Sequence, residues 1–201
     1  MTTAHAISPA ARIGRFWFRR RGVSPVPLLL AVVLLPPDFR LPTFALASVV
    51  ALCLAGELLR LRAVGFAGSA TRTRGDRVPR LFHSGPYRYL RNPLYVANTG
   101  LYTGCALLFG FGWLSLVVLV YSCVQYALIV AYEESLLEQT FGEPYRRYVA
   151  NVPRWFPRLA PWETTGESFS WRVAVRSERT TLVAIATMAA LWSIKDAYLS
   201  K

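Results

Sequence analysis

Two clusters in this 201-residue chain combine residue types able to hold a small charged ligand. The first is Gly85-Pro86-Tyr87-Arg88-Tyr89-Leu90-Arg91-Asn92-Pro93-Leu94-Tyr95. Its prolines fix the backbone, its arginines can fork onto a carboxylate, and its tyrosines offer aromatic faces and hydroxyls. The second cluster is Glu133-Glu134, placed where an apolar run ends. A carboxylate near the membrane interior costs on the order of 2 to 3 kcal/mol on insertion scales, so a positive partner is expected nearby. Arg88 or Arg91 can supply it, which would make the pair an interfacial ion network and nothing more. The other reading is a ligand of both signs, with amino and hydroxyl groups for the glutamates, a carboxylate for an arginine and an aromatic face for the tyrosines.

The elements that must position these clusters are apolar helices. Hydrophobic residues make up 54% of the chain, above the range of ordinary soluble domains. Residues 1–22 set Arg12, Arg15, Arg19, Arg20 and Arg21 around Phe16-Trp17-Phe18, which suits a membrane interface. Val23 to Pro37 is apolar, but its 15 residues make a helix of only about 22 Å against a hydrocarbon core of about 30 Å. Asp38 and Arg40 mark a turn, and Leu41 to Leu59 is long enough to cross. Within it Glu57 stands three residues before Arg60, at ion-pair spacing on one helix face. From Arg60 to Arg91 a basic loop is expected, with Gly65, Gly68 and Gly75 breaking regularity and His83 solvated.

Leu94 to Phe109 and Trp113 to Tyr132 carry no charge and flank Gly110-Phe111-Gly112, the pattern of a transmembrane helical hairpin. Gly100 and Gly104 give one arm a surface for close helix approach. From Glu133 to Tyr148 the pattern is amphipathic, with Leu137, Phe141 and Tyr145 recurring every four residues, and Gly142 and Pro144 are expected to divide it into two short helices. Val152-Pro153-Arg154-Trp155-Phe156-Pro157 is rigid, aromatic and basic. After a polar stretch from Ala160 to Glu178, Thr180 to Ile194 is a fifth crossing or an interfacial helix.

The net charge of +12 would suggest nucleic acid in a soluble protein, but its distribution says otherwise. With five crossings and a cytoplasmic N-terminus, 20 of the 23 basic residues fall on the cytoplasmic side, leaving Arg40, Lys195 and Lys201 opposite. The expectation is an all-α, polytopic membrane protein of about five transmembrane helices, with its pocket on the cytoplasmic side. One domain covers 1–201: a basic N-terminus (1–22), two crossings and a basic loop (23–84), a ligand-binding core (85–158), and a linker with the last helix (159–201). The arginine bias points to a bacterial inner membrane. Cys53, Cys105 and Cys123 lie inside apolar runs without metal-ligand spacing, so neither a metal site nor a disulfide framework is expected. Because one motif precedes the hairpin and the acidic pair follows it, both belong at the cytoplasmic ends of adjacent antiparallel helices.

S-adenosylmethionine carries all the groups that constellation can bind: an amino acid end, a ribose diol, an adenine and a sulfonium that an aromatic face can favour. Gly85-Pro86-Tyr87-Arg88-Tyr89-x-Arg91-Asn92-Pro93-x-Tyr95, followed by Glu133-Glu134-x-x-Leu137-x-x-x-Phe141-Gly142-x-x-Tyr145-x-x-Tyr148-x-x-x-Val152-Pro153-Arg154-x-x-Pro157, resembles the isoprenylcysteine carboxyl methyltransferase and phospholipid methyltransferase superfamily of membrane enzymes. The resemblance covers roughly residues 85–158. It implies an S-adenosylmethionine-dependent methyltransferase whose lipophilic acceptor comes from the bilayer. By position, Tyr87, Arg91, Asn92, Tyr95, Glu133 and Glu134 would line the cofactor pocket, with Tyr145, Tyr148 and Arg154 closing it. Arg154 and Glu134 are the candidate catalytic pair, Arg154 contacting substrate or a cofactor carboxylate. Isoprenylcysteine enzymes carry histidine before the proline and arginine four residues before the acidic pair, where this chain has Asn92 and Ile129. Asn-Pro is closer to the phospholipid branch, and a lipid amine, thiol, hydroxyl or prenylcysteine-like carboxylate all remain open as acceptors. The reading from a different class is a non-enzymatic membrane scaffold built on the same ion pairs.

Overall fold

The structure is a computed structural model and describes residues 8–23, 26–68, 80–163 and 166–199. Much of the basic loop, including Arg72, Arg74, Gly75 and Arg77, lies outside the described residues, as does Lys201. The described residues form α-helices and one 3-10 turn. In chain order they are α1 (Pro9–Arg20), α2 (Val26–Leu34), α3 (Thr43–Ala67), the 3-10 turn Gly85–Arg88, α4 (Pro93–Leu108), α5 (Gly112–Phe141), α6 (Glu143–Asn151) and α7 (Trp171–Leu199). Of these, α3 and α5 are long and apolar enough to cross a membrane.

The helices begin and end for local reasons. Ser8 caps α1, its Oγ accepting from the Ala11 N–H at 3.2 Å, with Pro9 in the first helical position. At the start of α5 the Asp38 carboxylate accepts from the N–H groups of Gly112 and Trp113, at 2.9 and 3.5 Å. This places a negative charge on the positive helix end. No breaker occurs between Glu133 and Phe141, so α5 continues through the acidic pair and stops only at Gly142, whose φ of 55° closes the helix. The expected pair of short helices is therefore corrected to the end of one 30-residue helix followed by α6. Glu133 and Glu134 gain a rigid mounting from this, with helix on both sides.

Two other boundaries differ from expectation. α3 runs through Gly65 to Ala67 instead of giving way to loop at Arg60, because Gly65 is where Phe169 packs: an added Cβ would meet its ring at 2.2 Å. The Ser170 N–H also donates to the Gly65 carbonyl at 3.0 Å, which docks the start of α7 on the end of α3. α7 begins at Trp171 and has 29 residues, so Glu178 lies on a helix and is 1% exposed, where a polar linker was expected. Its carboxylate takes Arg60 at 2.6 Å; the anticipated Glu57–Arg60 pair is longer, at 3.8 Å.

Opposite ends of α5 are tied to the same N-terminal stretch. Arg21 meets Glu133, while Asp38 meets Gly112. The helix between these two contacts is about 31 Å long, near the thickness of a hydrocarbon core. Arg21 and Asp38 thus meet α5 at points about 31 Å apart although α2 between them has only nine residues. α4 and α3 lie alongside through small residues: a Cβ on Gly104 would come within 2.5 Å of Cys53 Sγ, and one on Gly56 within 3.3 Å of the Ala97 carbonyl oxygen.

α1 seats its small face, Ala11 and Gly14, with Phe18 on the last turns of α5 before Glu133. A Cβ at Gly14 would fall 1.9 Å from the Leu128 carbonyl oxygen, a backbone atom that cannot yield. Gly14→Val should therefore lift α1 from α5 and destabilise the protein by about 1 to 3 kcal/mol. Thermal unfolding in detergent checks this, and an unchanged midpoint would mean that α1 does not need this contact.

Candidate functional site

The segment 87–92 is laced to the stretch after α6. The Arg91 N–H donates to the Pro153 carbonyl at 3.0 Å, Arg158 N–H to Tyr89 at 3.0 Å and Trp162 N–H to Arg88 at 3.1 Å. Side chains complete the lacing: Asn92 Nδ2 donates to the Arg154 carbonyl at 3.2 Å, Arg88 Nε to the Trp162 carbonyl at 2.6 Å and the Tyr148 hydroxyl to the Tyr87 carbonyl at 2.8 Å. The prolines and glycine that made the motif look stiff thus sit in a segment whose backbone is fixed from outside.

On this frame Glu133 and Glu134 take different partners. Glu133 Oε1 accepts from the Tyr95 hydroxyl at 2.8 Å and pairs with Arg21 Nη1 at 3.2 Å. Oε2 forms no hydrogen bond among the described residues. Tyr95 in turn lies against Tyr126, ring centroids 4.7 Å apart, and the Arg21 guanidinium rests 4.2 Å above the Phe18 ring. Glu134 is held by Arg154 through two N–H groups, at 3.1 and 2.5 Å, and faces Arg91 Nη1 at 3.4 Å. That last contact is an ion pair without hydrogen-bond geometry, and Arg91 Nε and Nη1 are buried with no hydrogen-bond partner.

Tyr87 lies close enough to Glu133 for the carboxylate's charge to reach its phenol. Burial lifts the Tyr87 pKa above the ordinary phenol value and Glu133 adds to the shift. Tyr145 and Tyr148 are buried at 3% exposure, and burial raises both, Glu134 and Tyr87 respectively adding to it.

The fold brings together Tyr87, Arg91, Tyr95, Glu133, Glu134, Tyr145 and Arg154. It directs the other two differently. Asn92 Nδ2 and the Tyr148 hydroxyl donate to backbone carbonyls, so both side chains brace the frame. Arg88 is drawn away to Trp162 and leaves the acidic pair to Arg91 and Arg154. Arg21 and Tyr126 escaped the sequence reading. Arg21 counted only as one charge of a basic terminus, and nothing in its spacing ties it to a glutamate more than a hundred residues away.

With this geometry in hand, comparison with known families is informative. The model of the family described as phospholipid methyltransferase matches residues 44–144, half of the chain. This chain belongs to the phospholipid methyltransferase family. No curated protein and no solved structure matches it. The family uses S-adenosylmethionine, so the chain is an S-adenosylmethionine-dependent methyltransferase of the membrane acting on lipid. The matched segment holds α3, the Gly85–Tyr95 motif, α4, α5 and both glutamates, while Arg21 and Arg154 fall outside it.

Two outcomes follow for this methyltransferase. Arg21→Gln should weaken binding of S-adenosylhomocysteine by about tenfold, the scale of one charge-assisted contact, as read by isothermal titration. The raised phenols set a pH limit. Because Tyr87, Tyr145 and Tyr148 keep their protons in the folded state after the unfolded chain has lost them, stability should fall as pH rises above about 10. Unfolding midpoints against pH, with absorbance of ionised tyrosine followed in parallel, check the sign.

Proposed function

We propose that the chain binds S-adenosylmethionine between the cytoplasmic ends of α4 and α5 and methylates the polar head of a membrane lipid. One observation carries the site. Glu133 has one oxygen fixed by Tyr95 and Arg21 and the other open, and nearby Arg91 holds two buried N–H groups without a hydrogen-bond partner. The amino acid end of the cofactor suits both, its ammonium to Glu133 and its carboxylate to Arg91. Tyr87 and Tyr145 supply aromatic surface on either side. When bound, the cofactor provides an electrophilic methyl group; the chain's own residues hold and orient it, which is the larger part of catalysing an in-line displacement.

Arg154 and Glu134 act as a pair that fixes Arg91 and closes the pocket on its C-terminal side. Since the Arg154 charge is matched by Glu134, it offers little to an anionic acceptor. Asn92 and Ile129, in place of the histidine and arginine of isoprenylcysteine enzymes, weigh in the same direction.

The reading includes five crossings: residues 23–37, α3, α4, α5 and α7, with residues 1–22 and the pocket on the cytoplasmic side of a bacterial inner membrane. The contacts of Arg21 and Asp38 at points about 31 Å apart on α5 support the first of these, and the asymmetry of basic residues supports the orientation. The whole chain is one domain, with 85–158 as its binding core.

Titration of S-adenosylhomocysteine into purified protein tests the site. Wild type should bind; Glu133→Gln and Arg91→Ala should each weaken binding by about tenfold or more, and Glu133→Ala combined with Glu134→Ala should abolish it. Wild-type affinity in the double variant would refute the assignment. Radiolabelled methyl transfer into a lipid extract then identifies the product.

A further inference from the structure

The outer surface of α1 takes no part in the site described above, and its charge is all of one sign. Between Pro9 and Arg20 the helix carries Arg12, Arg15, Arg19 and Arg20 and no acidic residue, and Arg21 follows at its end. At about 100° per residue its positions sort into three strips. Ala11, Gly14 and Phe18 form the strip buried on α5. Arg12, Arg15 and Arg19 form the second, and all three are exposed. Ile13 and Phe16, both half-exposed, form the third with Arg20 between them, its guanidinium 4.1 Å from the centroid of the Phe16 ring. One flank is thus apolar and the next is a row of guanidinium groups, the division of a helix seated where lipid meets water.

The depth of α1 follows from what it packs against. Gly14 lies on the Leu128 carbonyl, and the Phe18 and Tyr132 ring centroids are 5.4 Å apart. Glu133 marks the end of the charge-free run of α5. Leu128 lies about 7 to 8 Å along the helix from Glu133, a distance that an extended arginine side chain spans. Guanidinium groups beside these turns therefore snorkel to the headgroup layer. The acceptor in that layer whose geometry matches a guanidinium fork is phosphate. A zwitterionic lipid brings its own cation with the phosphate, whereas an anionic lipid brings the charge that the strip lacks.

The same helix ends at the Glu133 carboxylate. Arg21 follows its last turn and pairs with Glu133 Oε1 at 3.2 Å. Like charges crowded on one short helix repel one another, so neutralising the outer strip favours the seated position of α1 and, with it, of Arg21.

We propose that the Arg12–Arg15–Arg19 strip of α1 binds anionic phospholipid, and that this lipid, by seating α1 on α5, holds Arg21 on Glu133 and raises the affinity for the cofactor. Lipid binding stands without the methyltransferase reading; the coupling rests on the cofactor site proposed above.

The test uses the full chain in nanodiscs of phosphatidylcholine, alone or mixed with phosphatidylglycerol. Spin-labelled phosphatidylglycerol and phosphatidylcholine report the lipid preference, and titration reports the affinity for S-adenosylhomocysteine. Wild type should prefer phosphatidylglycerol. Arg12→Gln combined with Arg15→Gln and Arg19→Gln should lower that preference by about fivefold or more, while lysine at the same three positions should retain it. Arg146→Gln with Arg147→Gln, which removes charge from α6, should leave it unchanged. S-adenosylhomocysteine should bind wild type about fivefold more tightly in the mixed membrane and the glutamine variant equally in both. Inorganic phosphate at matched ionic strength should not replace the lipid. Arg12→Gln alone, with a smaller loss of preference, decides the matter if the triple variant does not fold. An undiminished preference in the glutamine variants, an equal loss in the α6 variant, or the same effect from inorganic phosphate would overturn the lipid surface. Equal wild-type affinity for S-adenosylhomocysteine in both membranes would overturn the coupling. Failure of S-adenosylhomocysteine to bind in either membrane, with the lipid preference intact, would count against the cofactor site and not against the surface.

Discussion

A carboxylate carried on a long apolar helix has to be matched in charge, and Glu133 imposes that requirement on the molecule. Its partners come from segments far apart in the chain: Tyr95 from α4 and Arg21 from the end of α1. Glu134, one residue on, collects Arg91 and Arg154 from two more. Each partner brings its own segment to the same end of the bundle. Neutralising the acidic pair and gathering these segments at one end of the bundle are therefore one event, centred on the helix that bears the pair.

The matching is incomplete among the described residues. Tyr95 and Arg21 both bind Oε1 of Glu133, Oε2 accepts no hydrogen bond among the described residues, and the Arg91 nitrogens Nε and Nη1 are buried without one. Such unsatisfied groups cost stability in an apolar setting and are held open only by a stiff surround. The backbone ladder between 88–91 and 153–162 supplies that stiffness, together with Asn92 and Tyr148.

Glu57 and Asn98 repeat this pattern in the α3–α4 pair. The two helices approach closely through Gly56 and Gly104. A run of tyrosines, 95, 126 and 102, joins the two places and gives a polar lining within an otherwise apolar bundle.

The sequence by itself determined the class of molecule, through charge-free runs of helix length and a spaced motif specific enough to identify the family. It also placed the Gly85–Tyr95 motif and the acidic pair at the same end of a hairpin, since chain length between them allows little else. It misplaced helix ends at Arg60 and Tyr132 and the start of the last helix at Thr180, because a polar residue on a helix looks like a loop until its partner is known. Only the tertiary structure decided which arginine meets which glutamate. Arg88, nearest to expectation, turns to a carbonyl, whereas Arg21 arrives from the opposite end of the chain. The physical reason is that an ion pair is set by proximity and by competing acceptors, and a guanidinium on a long side chain has several within reach. Local sequence fixes where such a charge begins, and packing of α1 on α5 fixes where it ends.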